Sequence, residues 1–511
     1  MSGSLQFLPP ELYYAILSHV SPDDLQMSIL HLSIALPRSP IPVDLIYHSI
    51  RLKFTDQVVR LTRRLRNSPE HALLVKEFSL ETWTVDADVL INLVRSLPNL
   101  ISLRLFIGPN YAPEHMEDLF CKPWARLSFI GLRFRPYVQK ATYYQFMKGA
   151  YFDSMLDALS TWPSSSLPTL SIIQDPLDPN IPKLQHFAQP LVFFRLDPFT
   201  GLVRAPFLRA LTHFRLRIPA RQVAQYIYAK PGALESVEVV DLSTCNVGER
   251  DVDLILGRFG RLKHLLLDNC SILRGEFNEV AWRELGKECA LAGVRRARER
   301  EKKLKAWLEM NYVPPQGGDD ADAPAPGLGT RIPGFGHSRA PKRGRKGLAT
   351  ATISLREREE PVAGPSTGTI RIASTDTKAK IPKIRVLPRA PTLLSLSTTV
   401  RHDDKHAVIR AEFERGWSEG IAQLSATAAR LRASYVNNVV RVVKFTEDAD
   451  GVMLEEGMEG LGDAGLEDFD FDVSGAEKRY PVLCLAGPGR GEGHVEGCGH
   501  QVGWDVWRDE L

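Results

Sequence analysis

Apolar side chains near the start of the chain fall at helical intervals. Leu12, Ile16 and Val20 share one face, with Leu17 beside them, and a second stripe follows at Leu25, Ile29 and Leu32. Proline is accepted in a first helical turn, serine caps by accepting a backbone N–H, and acidic residues suit the positive helix end. Pro9-Pro10 and Ser21-Pro22-Asp23-Asp24 therefore mark two helix starts. The pattern predicts a third helix from Val43 to Ile50 and a fourth, basic and amphipathic, from Phe54 to Leu65. Far downstream, Ile409, Phe413, Trp417, Ile421, Leu424, Ala428, Leu431 and Tyr435 trace one face of a long helix. The Val-rich run Asn438 to Phe445 then predicts a strand.

Between these regions the pattern repeats. Val237, Val240, Leu242, Cys245 and Val247 are matched 25 residues later by Leu262, Leu265, Leu267, Cys270 and Ile272. Shorter matches begin at Val75, Leu100, Leu127, Leu167, Leu191 and Leu211, and helical stripes such as Val89, Leu93, Leu97 and Val252, Ile255, Phe259 precede some of them. The windows resemble leucine-rich repeats, in which alternate apolar residues of a short strand face the core and an inward Asn or Cys bonds buried backbone. The resemblance implies a parallel sheet on a concave face with helices outside, irregular here, with an insertion near residues 135–165. Subject to register, the concave face would present Glu77, Ser79, Ser102, Arg104, Ser236, Glu238, Lys263 and Leu266. Of these, Glu77, Arg104, Glu238 and Lys263 are the candidate substrate contacts.

Composition adds the boundaries. The 511 residues are 44% hydrophobic, enough for a real core, and 64 basic against 61 acidic residues exclude a globally basic nucleic-acid wrapper. Six cysteines are too few for a disulfide scaffold, and nothing suggests a membrane span or secretory signal. Residues 311–380, rich in Pro, Gly, Ala, Ser and Thr, are expected to be a disordered linker. The acidic residues 447–476 are expected to be a second disordered segment. The expected organisation is a helical module at 1–67, a repeat region with a capping helix at 68–310, a helix and strand at 381–446 packing back on it, and a tail at 477–511. The fold class is α/β.

Residues 8–25 carry a second resemblance. Leu8, Pro9, Glu11, Leu12, the pair Ile16-Leu17, and Ser21, Pro22, Asp24 and Leu25 reproduce the Leu-Pro-x-Glu-Leu opening, Ile-Leu pair and Ser-Pro-x-Asp-Leu junction of the F-box. That resemblance implies docking onto the Skp-type adaptor of a cullin ubiquitin ligase, through Leu8, Pro9, Leu12, Ile16, Leu17, Pro22 and Leu25. A helical unit this small leaves apolar side chains over for a partner to bury.

Motifs for catalysis are missing: no phosphate-cradling glycine loop with its lysine, no G-x-S-x-G and no H-E-x-x-H. Cys484, His494, Cys498 and His500 follow a spacing that matches no standard zinc site, so no metal or other cofactor is expected. The basic run Arg295 to Lys305 reads as a solvated helix end rather than a nucleic-acid contact. Pro341 to Lys346 is a candidate nuclear-import cluster. The expected function is a non-catalytic substrate receptor of a Skp–cullin–F-box ligase, in cytoplasm or nucleus, holding a protein substrate on its repeats. The alternative is a nuclear interaction scaffold with leucine-rich repeats, unconnected to ubiquitin.

Overall fold

The computed structural model describes residues 7–42, 44–108, 110–135, 151–163, 167–176, 192–229, 233–270, 279–311, 383–400, 405–445, 461–469 and 480–508. Met1–Trp307 and Pro382–Leu511 form one unit. Leu308–Ile381 forms another, of which only the end of one helix is described.

The chain opens with helices α1 (Pro10–Leu17), α2 (Pro22–Ala35) and the single turn α3 (Leu45–His48). Pro9 caps α1 in extended conformation, and Ser21 caps α2 by accepting the Asp24 N–H at 3.3 Å. Strand β1 (Ser49–Leu52) follows where the apolar pattern predicted helix. Its Ile50 and Leu52 are buried and Arg51 exposed, a period of two that fits an edge strand, and it pairs with the next strand instead of continuing the bundle. Then come α4 (Thr55–Asn67), β2 (Glu77–Leu80), α5 (Ala87–Arg95), β3 (Ser102–Ile107), α6 (Pro113–Phe120), β4 (Phe129–Phe134), α7 (Asp153–Ser160), β5 (Thr169–Gln174), α8 (Asp197–Leu202) and β6 (His213–Arg217). They continue through α9 (Ala224–Tyr228), β7 (Val239–Asp241), α10 (Glu249–Arg258), β8 (His264–Leu266) and the long α11 (Glu279–Asn311). After the undescribed stretch lie β9 (Ile384–Val386), β10 (Ser395–Ser397), α12 (His406–Val436), β11 (Arg441–Phe445), β12 (Leu461–Asp463), β13 (Val482–Cys484) and α13 (Gly499–Trp507).

Among the described residues ten strands form one parallel sheet in the order β1-β2-β3-β4-β5-β6-β7-β8-β10-β13, and β12-β11-β9 form a small second sheet. Phe78, Leu103, Ile130, Leu170, Phe214, Val240 and Leu265 line one face and join Leu90, Leu93, Met116, Leu119, Leu156 and Ile255 from the helices in a single core.

The leucine-rich-repeat solenoid expected over residues 68–310 is not what the chain forms; the α/β class itself fits. The finding that overturns it is a large continuous parallel sheet that runs outside those limits at both ends. It begins with β1 in the N-terminal module and closes with β10 and β13 from the far side of the 311–380 segment. Paired positions are separated by 28, 25, 27, 40, 44, 26 and 25 residues, then by 131 and 87, so no repeat length governs the strands. The second face is also not left open. Every residue of β5 is buried, as in sheets covered on both sides, and α13 packs there.

The long helices cross at small residues. A Cβ on Gly416 of α12 would stand 1.8 Å from the Arg283 carbonyl of α11, and one on Gly286 would stand 2.1 Å from the Phe413 carbonyl. Only glycine lets the backbones meet so closely. Part of the acidic region is ordered, contrary to expectation. β12 pairs with β11, and Phe469 packs against Tyr435, because the few apolar residues there have a partner sheet and helix.

Candidate functional site

Two places concentrate features that packing alone does not use. The first is the pair α1–α2. Its own core is small: Tyr13, Leu17, Ile29 and Ile41 are buried, with Leu8, Val20, Leu25, Leu32 and Leu36 packed against them. The seven expected adaptor contacts therefore divide. Leu17 is inside and Leu8 and Leu25 are half-buried in the same cluster, so these three hold the unit together. Pro9, Leu12 and Ile16 face outward, and Pro22 occupies the first turn of α2. Sequence reasoning missed a second outward stripe, Met27, Leu30 and Ile34, on the face of α2 opposite its core residues. Exposures are 46% and 49% for Leu12 and Ile16, and 54%, 41% and 76% for Met27, Leu30 and Ile34. The signal was present as apolar residues on both sides of one short helix. Tyr14 fixes the unit's far side by donating to Asp44 at 2.6 Å.

The second place is the polar face of the sheet. Among the four expected substrate contacts, Glu238 and Lys263 precede β7 and β8 and pair with each other at 2.8 Å. Glu77 accepts from Ser49 Oγ at 3.0 Å and lies 3.5 Å from the Arg508 guanidinium. Arg104 stacks 4.6 Å over Phe129 and donates to the Arg508 carbonyl. These side chains are engaged by the chain's own C-terminal segment. Helix α13 lies along the face, burying Trp507 against Val239 and Leu266, with the Arg215 guanidinium 4.6 Å from the Trp507 ring. Nearer β2 to β4 the face stays half-open, and Trp83 stacks on Phe106 with Arg133 and Arg135 over the rings.

A buried polar row runs along the C-terminal ends of β6, β7 and β8. Arg217 pairs with Asp241 at 2.7 Å. Ser243 donates its N–H to Asp241, and its hydroxyl meets Asp268 at 3.4 Å. Burial works against the Asp241 charge, but the Arg217 guanidinium outweighs it and holds the carboxyl below its ordinary range. The row continues into four residues whose spacing argued against a common site and which the structure gathers together. Cys484, His494, Cys498 and His500 place one potential ligand atom each within 4.8 Å of all the others. Cys484 ends β13, Cys498 is the N-cap of α13, and His500 lies in its first turn. Gly493 and Gly497, at φ +97° and +74°, turn the loop immediately before His494 and Cys498, a backbone other residues rarely adopt. His500 Nε2 lies 2.9 Å from Asp268, and Nδ1 lies 3.3 Å from Cys484 Sγ. Burial opposes the His500 charge, yet the bonds to Asp268 and Cys484 lift its pKa to about 9. Cys498, then His500, pull the Cys484 thiol down by hydrogen bonding. The line Cys484–His500–Asp268 has the order of a nucleophile, base and orienting carboxylate, and all three side chains are buried.

Other expected features fall differently. Cys245 and Cys270 donate to the carbonyls of Leu216 and Leu242 at 3.2 and 3.3 Å, each from a tight turn after its strand. In the basic stretch of α11, Arg296 is buried and donates to the Leu256 carbonyl at 2.9 Å, and Arg295 pairs with Asp253. Pro341 to Lys346 lies outside the described residues, as do residues 136–150 of the insertion expected near 135–165, whose described part includes α7. No helix among the described residues is long and apolar enough to cross a membrane. No protein-family model matches the chain, and no curated protein matches it in sequence.

Proposed function

We propose that the protein is a substrate-recognition subunit of a Skp–cullin–F-box ubiquitin ligase, with α1 and α2 as its adaptor-docking element. The observation that carries this reading is the outward apolar surface of Leu12, Ile16, Met27, Leu30 and Ile34. It lies on helices that begin with the Leu-Pro-Pro-Glu-Leu and Ser-Pro-Asp-Asp-Leu segments. Apolar stripes on both sides of a short helix are stable when a partner covers the outer one. The protein does no chemistry in this role. It holds a substrate near the charged ubiquitin carrier and so raises its effective concentration. The half-open part of the sheet's polar face, with Trp83, Phe106, Arg133 and Arg135, offers the aromatic and arginine side chains that dominate protein interfaces.

The test is binding of the purified full-length chain to a Skp-type adaptor by calorimetry. Ile16→Asp and Ile34→Asp are expected to weaken binding at least about tenfold each, without loss of fold, since both side chains already face solvent. No adaptor binding by the wild-type chain, or binding unchanged in both variants, would overturn the reading and favour an interaction scaffold outside ubiquitin transfer.

A further inference from the structure

We propose that Cys484, His494, Cys498 and His500 form a four-coordinate zinc site that clasps helix α13 to the end of the large sheet. Zinc takes sulfur at about 2.3 Å and nitrogen at about 2.0–2.1 Å, so a tetrahedron built on these lengths has sulfur–nitrogen edges of about 3.6 Å. The corresponding separations are 3.5 Å from His494 Nδ1 to Cys484 Sγ, 3.8 Å from it to Cys498 Sγ, and 3.3 Å from His500 Nδ1 to Cys484 Sγ. Three sulfur–nitrogen edges thus stand close to tetrahedral lengths, and all four ligand atoms lie within 4.8 Å of one another, so a metal needs only to draw the cluster together.

The outer contacts point the same way. His494 Nε2 lies 2.6 Å from the Gly489 carbonyl, and His500 Nε2 lies 2.9 Å from the Asp268 carboxylate. A carbonyl and a carboxylate only accept, so each Nε2 carries a proton, and Nδ1 is the nitrogen left to turn a lone pair inward once a metal displaces any proton it holds. That is how metal-bound histidines are oriented. Asp268 is itself held by the Thr399 hydroxyl at 2.8 Å, so the support is built into β8 and the segment after β10. Two sulfur and two nitrogen donors with no open position select zinc in a structural role over harder cations and over metal-bound catalysis.

The consequence is mechanical. Cys484 belongs to β13, while Cys498 and His500 begin α13, so one ion ties the sheet edge to the helix. That tie seats Trp507 on Val239 and Leu266, and with it the segment that engages Glu77 and Arg104.

The test uses the full-length chain purified without chelator, with zinc measured by atomic emission and replacement by cobalt followed in the visible spectrum. About one zinc per chain is expected, with the intense ligand-field bands of tetrahedral cobalt and a thiolate charge-transfer band. His494→Ala removes the one half-exposed ligand and is expected to lower the zinc content to under about a tenth at micromolar zinc, while Cys121→Ser, at an exposed thiol outside the cluster, keeps it. Stripping the metal is expected to speed amide exchange of residues 499–507 by about tenfold or more and to leave α1 and α2 unchanged. Wild-type protein without zinc, a six-coordinate cobalt spectrum, a Cys484–Cys498 disulfide in the purified chain, or zinc retained in full by His494→Ala would each overturn the proposal.

Discussion

Gly416→Ala adds one methyl group where α12 crosses α11, and the structure fixes the sign of its effect. In an open helix the same change stabilises by roughly 0.5–1 kcal/mol, because alanine surrenders less backbone freedom on folding. At Gly416 the new Cβ would lie 1.8 Å from the Arg283 carbonyl oxygen, where ordinary contact begins near 3.4 Å. The obstacle is backbone, so no rotamer relieves it, and the helices must part by about 1.6 Å at the crossing. Phe413, Trp417, Ile421 and Leu424 are packed in that seam. A gap of 0.5–1 Å already forfeits a quarter to a half of a contact's dispersion energy. Overpacking penalties run at roughly 1–3 kcal/mol, and a shift this large belongs at or above the top of that range, so a net loss of about 2–3 kcal/mol is expected. Gly257 in α10 is the control: its Cβ would meet nothing within 4 Å, and Gly257→Ala is expected to gain up to about 1 kcal/mol. Urea unfolding of both variants followed by circular dichroism measures the two signs together. A Gly416→Ala protein as stable as wild type, with an unchanged denaturant slope, would refute the packing argument.

Other predictions concern the polar face of the sheet. Arg217→Met leaves the Asp241 carboxylate buried without its cation and is expected to cost about 3–5 kcal/mol. Arg217→Met with Asp241→Leu is expected to recover most of it, and equal losses in single and double variants would contradict the pairing seen at 2.7 Å. Trp507→Ala uncovers Val239 and Leu266 and is expected to cost about 3–5 kcal/mol, with exchange protection lost in α13 before the sheet. Uniform loss of protection would show that the helix is not a separately seated element. Burial lowers the pKa of His213 and His264, so the unfolded chain takes up protons below about pH 6.5 that the folded chain refuses. They contribute nothing above that pH, turn destabilising as pH falls below it, and the loss levels off once pH passes the depressed folded values. A His213→Asn, His264→Asn protein should lose less stability than wild type between pH 7 and pH 5, and parallel pH profiles would exclude the effect.

Local chemistry was readable from the sequence where one or two residues decide the geometry. Ser21 announces the start of α2 by its capping oxygen, and the Cys245 and Cys270 windows announce strands whose following thiol turns inward. Three features depended on partners distant in sequence. Ser49 to Leu52 is too short to separate strand from helix by periodicity, and becomes a strand because Glu77 to Leu80 lies beside it. The registry Leu265–Leu396–Leu483 joins segments that share no local pattern, so one continuous sheet could not be told from a bounded repeat array. The Cys/His cluster is hidden in the sequence by a spacing that matches no standard zinc site. The structure resolves this by making Cys498 an extended N-cap and His500 a first-turn residue, which directs both side chains to one point. Leu17, expected on the docking surface, is buried because the Ile-Leu pair straddles the boundary between the helical face that meets Tyr13 and Ile29 and the face that meets solvent.

The pairing of β8 with β10 also sets a schedule for synthesis. A ribosome adds roughly 5–20 residues per second. Strand β8 is complete at Leu266, but β10 ends only at Ser397, so the nascent β8 edge waits roughly 6–26 s for its neighbour to be made. During that interval an apolar strand with free N–H and C=O groups faces solvent or any chaperone at hand, the condition under which edges recruit foreign strands. Translation pauses between the codons for these two strands should therefore lower the soluble yield more than pauses of equal length placed after residue 484.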